Sequence, residues 1–78
     1  MYNIDAEIIR IKNALNNIFC VYEDNSYFEN IEPTAIKAII YGKTIKFIPI
    51  ELNDEVQELL NILADLEEEK HNNKKHNR

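Results

Sequence analysis

The commonest side chains in this chain that can take part in chemistry are carboxylates, and eight of the 14 lie in two sets. The first lies in the acid–aromatic segment Tyr22-Glu23-Asp24-Asn25-Ser26-Tyr27-Phe28-Glu29-Asn30-Ile31-Glu32. It sets Glu23, Asp24, Glu29 and Glu32 beside Tyr22, Tyr27 and Phe28. Carboxylates on a fixed surface imitate phosphates, and aromatics supply the contact area on which protein interfaces turn. The plainer reading is a polar turn whose aromatics fill the core. In the second set, Glu51 and Glu58 each stand three or four residues from the adjacent pair Asp54-Glu55, one negative ridge if the segment is helical. Like charges at that spacing destabilise a helix by a few tenths of a kcal/mol per pair. A ridge that costs stability calls for a functional reason, and the competing one is a solvated face that keeps a small protein soluble.

Neither set has the form of a catalytic or metal centre. Glu23-Asp24-Asn25-Ser26 lacks the alternating oxygen ligands, central Gly and closing Glu of a calcium loop. Paired carboxylates for glycoside chemistry need a cleft to separate and perturb them, and so short a chain has little room for one. Cys20 stands among Phe19, Val21 and Tyr22 with no cation nearby in sequence to lower its pKa, so a buried small hydrophobe is expected rather than a nucleophile. His71 and His76 are five apart, off a common helical face and without a cysteine partner, a poor zinc pair. No catalytic residue, cofactor or metal is assigned, and the chain is not read as an enzyme.

Charge narrows the partners. Up to Glu69 the chain holds 14 acidic side chains against five basic ones (Arg10, Lys12, Lys37, Lys43, Lys46), so 14 minus 5 leaves a body of about −9. Lys70, Lys74, Lys75 and Arg78 form a basic, Asn-rich tail over residues 70–78. Four tail cations cannot offset that body for duplex binding, whose affinity comes from neutralising phosphates, so direct nucleic-acid binding by the folded part is rejected. Cations at the end of a helix also complement its dipole. No apolar run approaches the roughly 20 residues of a membrane span. With one cysteine and no apolar leader after Met1, a reducing cytoplasm is the expected compartment.

The elements that must position these groups follow from periodicity. Ile4, Ile8, Ile11, Leu15 and Ile18 form one helical stripe over residues 4–18, with Asn3 as N-cap and Asp5 and Glu7 in the first turn. Leu52, Val56, Leu59, Leu63 and Leu66 repeat that spacing in a second helix from Asn53 to about Lys70, capped by Asn53 or Asp54. Leu60 and Ile62 lie on its other flanks and Ile9 beside the first stripe, a surplus that suits self-association.

Between the helices the period becomes two. Residues 35–41 and 44–50 flank Gly42-Lys43, a two-residue loop with Gly first, which signals a type II′ hairpin. Pairing Tyr41 with Thr44 puts Ile36, Ala38, Ile40, Ile45 and Phe47 on one wholly apolar face, expected to lie under the helices. The other face, Lys37, Ile39, Tyr41, Thr44, Lys46 and Ile48, is mixed. Pro49 belongs at an edge. Residues 19–31 supply two further short strands, or only one if the first helix runs on to Phe19. The expectation is a single α+β domain over residues 1–69 in the order α-β-(β)-β-β-α, with three or possibly four short antiparallel strands.

The function these features favour is a small acidic inhibitor that occupies the basic, nucleic-acid-binding groove of a partner enzyme. Phages and mobile elements use such proteins against restriction, CRISPR or repair enzymes. A structural subunit that homodimerises through the apolar helix faces is the competing class, and an antitoxin or immunity protein is a third. Reversing Glu51, Glu55 and Glu58 to Lys separates the first class from the second, because a mimic loses its partner while self-association survives.

Overall fold

The computed structural model describes residues 3–23 and 28–76, with side chains to Asn72. Helix α1 runs Ile4–Val21, strands β1 (Ile36–Tyr41) and β2 (Thr44–Pro49) form an antiparallel hairpin, and helix α2 runs Asn53–His76. Short 3-10 turns at Pro33–Ala35 and Ile50–Leu52 lead into and out of the hairpin. The domain is α+β with a two-stranded sheet.

Helix α1 starts where the orphan N–H groups of its first turn find an acceptor. Asn3 Oδ1 accepts from the backbone N–H of Asp5 at 3.0 Å and of Ala6 at 3.3 Å. Asp5 and Glu7 lie at its positive end. Its buried stripe is Ile8, Ile11, Leu15 and Phe19, with Ile4 and Ile18 packed against it. The helix does not stop at residue 18. It continues through Cys20 to Val21, and this removes the first of the strands expected over residues 19–31. Phe28–Asn30 are turn, so among the described residues the sheet has two strands rather than three or four.

Helix α2 lies antiparallel to α1. Lys70 Nζ is 2.6 Å from Asp5 Oδ1 and Lys12 Nζ is 3.7 Å from Glu67 Oε1, which ties the late turns of α2 to the start of α1. Val56 and Leu63 are buried, and Leu52, Leu59, Leu60 and Leu66 are packed against the core. The expected cap at the head of α2 is absent. Asn53 is itself helical (φ −57°, ψ −45°), because the preceding 3-10 turn feeds straight into the helix. Its side-chain oxygen accepts from Gln57 Nε2 at 3.5 Å instead. At the other end the α2 backbone stays helical to His76, beyond Lys70 and into the basic segment.

The hairpin has the expected register: Tyr41 pairs with Thr44, Ile40 with Ile45, Ala38 with Phe47 and Ile36 with Pro49. Gly42 has φ +63° and no other described residue has positive φ, the pattern of a type II′ turn with Gly first. Thr44 Oγ1 donates to the Tyr41 carbonyl at 3.0 Å across it.

The face that packs on the helices is the opposite of the expected one. Ile39 (3% exposed) and Ile48 (0%) are in the core, whereas Ile40 (76%), Ile45 (61%) and Phe47 (49%) are in water. Tyr41 joins the inner side, its ring centroid 5.2 Å from that of Phe19. The mixed face can be buried because its polar members sit off the contact. Ile39 lies across from Lys46 and Ile48 across from Lys37, so the two isoleucines form a diagonal and the lysines stand at its corners. There the long lysine stems cover apolar surface while their ammonium groups reach solvent.

Candidate functional site

The four carboxylates of the expected ridge fall on two successive elements. Glu51 lies in the 3-10 turn after β2, Asp54 and Glu55 in the first turn of α2, and Glu58 one turn later. All four are exposed. Among the described residues no Lys or Arg forms an ion pair with any of them. The cations bind elsewhere: Arg10 to Glu7, Lys12 to Glu67, and Lys70 to Asp5. Asp54 and Glu55 gain from the positive end of the α2 dipole, whereas Glu58 lies past the reach of that effect.

The acid–aromatic segment is only partly visible as a site. Asp24 and Tyr27 lie outside the described residues. Glu23, Glu29 and Glu32 are exposed. Phe28 is half-buried, with its ring centroid 6.3 Å from that of Tyr22. Glu32 enters the backbone of the following turn, its carbonyl accepting from Ala35 N–H at 2.8 Å. Of the self-association candidates, Ile9 and Ile62 are exposed and Leu60 packs against the edge of the core.

Cys20 corrects the expectation of a buried thiol. It is a free, exposed cysteine. Once α1 runs past residue 18, its buried stripe takes Phe19, and the next residue turns about 100° out of that contact. Among the described residues no three His, Cys, Asp or Glu side chains are placed to hold a metal ion. No described helix is long and apolar enough to cross a membrane.

Two ionisation effects are tied to packing. The Arg10 guanidinium donates to both Glu7 carboxylate oxygens and holds that carboxyl below its ordinary range. Burial pushes the Tyr41 phenol up, and the nearby Glu67 carboxylate adds to the shift. Tyr41 and Glu67 line a groove with Lys12, Leu60 and Leu63.

The feature that sequence reasoning misplaced is the outer face of the hairpin. Ile36, Ala38, Ile40, Ile45 and Phe47 form a continuous apolar surface, and Phe28 and Pro33 border it at the open end of the hairpin. The signal was present in the alternation, and the error lay in assigning the more apolar face to the core. No protein-family model, curated protein or solved structure matches this chain.

Proposed function

We propose that this chain is a protein-binding inhibitor, with no chemistry of its own, that occupies the basic, nucleic-acid-binding groove of a partner enzyme. The supporting observation is the exposed ridge Glu51–Asp54–Glu55–Glu58, with which no cation among the described residues is paired, while other carboxylates of the chain are paired. A run of like charges that weakens its own helix is accounted for by a partner that supplies the missing cations. Glu23, Glu29 and Glu32 are further exposed carboxylates that add to the negative surface, Glu23 beside Ile45 and Phe47 of β2. Arginine-rich grooves that hold phosphates have the complementary chemistry.

The test is capture of partners from nuclease-treated host lysate on immobilised protein, washed at low and at high salt. The wild type should retain a nucleic-acid-handling enzyme at near-stoichiometric yield and lose it at high salt. Glu55→Lys with Glu58→Lys should abolish capture, with helical circular dichroism unchanged. Recovery of no such enzyme, or of one held equally by the charge-reversed protein, overturns the reading. A second reading, that of an assembly subunit, has its own support in the uncovered apolar face of the hairpin.

A further inference from the structure

We infer that the outer face of the hairpin is where a second copy of this chain docks, the two ribbons stacked face to face about a two-fold axis with the tip of each over the base of the other. This goes beyond the partner-binding ridge and does not depend on it.

The first argument is area. Ile40, Ile45 and Phe47 are 76%, 61% and 49% exposed, and Ala38 and Pro33 are also in water. With about 150–200 Å² for a large side chain, those three expose roughly 280–370 Å² per copy, and Ala38 and Pro33 carry the patch to about 400 Å². A patch of that size on a monomer is often functional. A face-to-face pair removes about 800 Å² in all, the size of a weak, concentration-dependent dimer rather than a permanent one.

The second argument is charge. A two-fold axis brings a surface against itself, so any charge near the axis meets its own kind. Charged residues make up 29% of this chain, yet none points from the outer face of the hairpin. Glu23 and Lys46 border it beside Ile45 and Phe47, one charge of each sign, so two copies of a net −5 protein meet on this surface without a surplus of like charge in the contact.

The ends of the ribbon select the orientation. From Pro33 to Ile50 there is no carboxylate, and the tip carries Lys43. The base is flanked by Glu32 and Glu51, in or beside two 3-10 turns that pack together. Six-residue strands are about 20 Å long, and stacked sheets lie about 10 Å apart. An antiparallel stack therefore brings each Lys43 within side-chain reach of the partner copy's base carboxylates. A parallel stack sets lysine over lysine and acid over acid. The same cationic hairpin is a poor match for the basic surface proposed for the ridge, so the two surfaces have different occupants.

The experiment is light scattering and sedimentation across about 1–100 μM, with circular dichroism on every variant. The wild type should approach 18.4 kDa, twice the 9.2 kDa chain. Ile40→Lys and Phe47→Lys should each stay at the monomer mass with helix content unchanged, since both side chains already face water. Lys43→Glu should weaken pairing about tenfold, because each lost ion pair occurs twice. Adding Glu32→Lys to Lys43→Glu should recover most of that loss. A wild type that stays monomeric throughout, or a dimer indifferent to Ile40→Lys, overturns the interface. A double variant no tighter than Lys43→Glu alone overturns the tip-to-base arrangement. Glu55→Lys with Glu58→Lys should leave the dimer intact, so failure of the inhibitor reading and failure of this one are separable.

Discussion

Replacing Ile48 and Ile45 by Ala in turn asks which side of the hairpin is the inside. The two residues are three apart on the same strand and chemically identical, so propensity terms cancel. Ile48 is fully buried against the helices, and its truncation leaves a cavity that only partly collapses, at a cost of about 2–5 kcal/mol. Ile45 is 61% exposed, so its truncation leaves no closed cavity, and the transfer of its partly buried carbons alone costs below about 1 kcal/mol. A domain of 78 residues has about 4–12 kcal/mol of stability in total, so the first variant approaches the limit of folding. With a urea slope near 1 kcal/mol/M, the midpoint should fall by about 3 M for Ile48→Ala and by less than about 1 M for Ile45→Ala. Urea titrations followed by circular dichroism should be run at two protein concentrations tenfold apart. Any part of the Ile45 effect that comes from pairing then appears as concentration dependence. If Ile45→Ala proves the more damaging at both concentrations, the inner and outer faces are reversed and the account of the fold is wrong.

Two further outcomes test the cap and the buried phenol. Asn3→Ala should cost about 1 kcal/mol, lowering the thermal midpoint by about 4–8 °C, and Asn3→Asp should retain most of the stability. Tyr41 has a raised folded-state pKa, so its contribution is complete below the unfolded phenol value of about 10 and is lost as pH rises through the folded value. The difference in ultraviolet titration between wild type and Tyr41→Phe should show a phenol that ionises later in the folded protein than in urea. Ionisation at the same pH in both would refute the packing of that ring.

Local patterns carried well from sequence to structure where one residue spacing decides the outcome. The stripe Ile8-Ile11-Leu15 lies inward, Asn3 caps, and the hairpin turns at Gly42 in the expected register. What alternation cannot decide is which of two faces is the inside. It assigns every second residue to a common side, and the choice between sides depends on where the helices make contact. Here lysines at two corners of the mixed face, with stems long enough to reach water, made that face buriable. Residues 19–21 were ambiguous because Phe and Val suit a strand, and the contact of Phe19 with Tyr41 holds them helical. The ridge was legible because helical spacing alone aligns it. The hairpin face was named in full and placed on the wrong side.

A sheet of two strands has no interior strand. Both β1 and β2 turn one row of backbone N–H and C=O groups away from their partner, the arrangement on which ribbons grow side by side into fibrils. Pro49 interrupts that row at one end of β2, and Lys37 near the start of β1 and Lys46 within β2 place a charge on each strand. Neutral lysine derivatives would leave every ladder hydrogen bond of the hairpin in place and still remove that barrier. The two ammonium groups are therefore gatekeepers of colloidal behaviour, keeping a very apolar ribbon from templating a third strand.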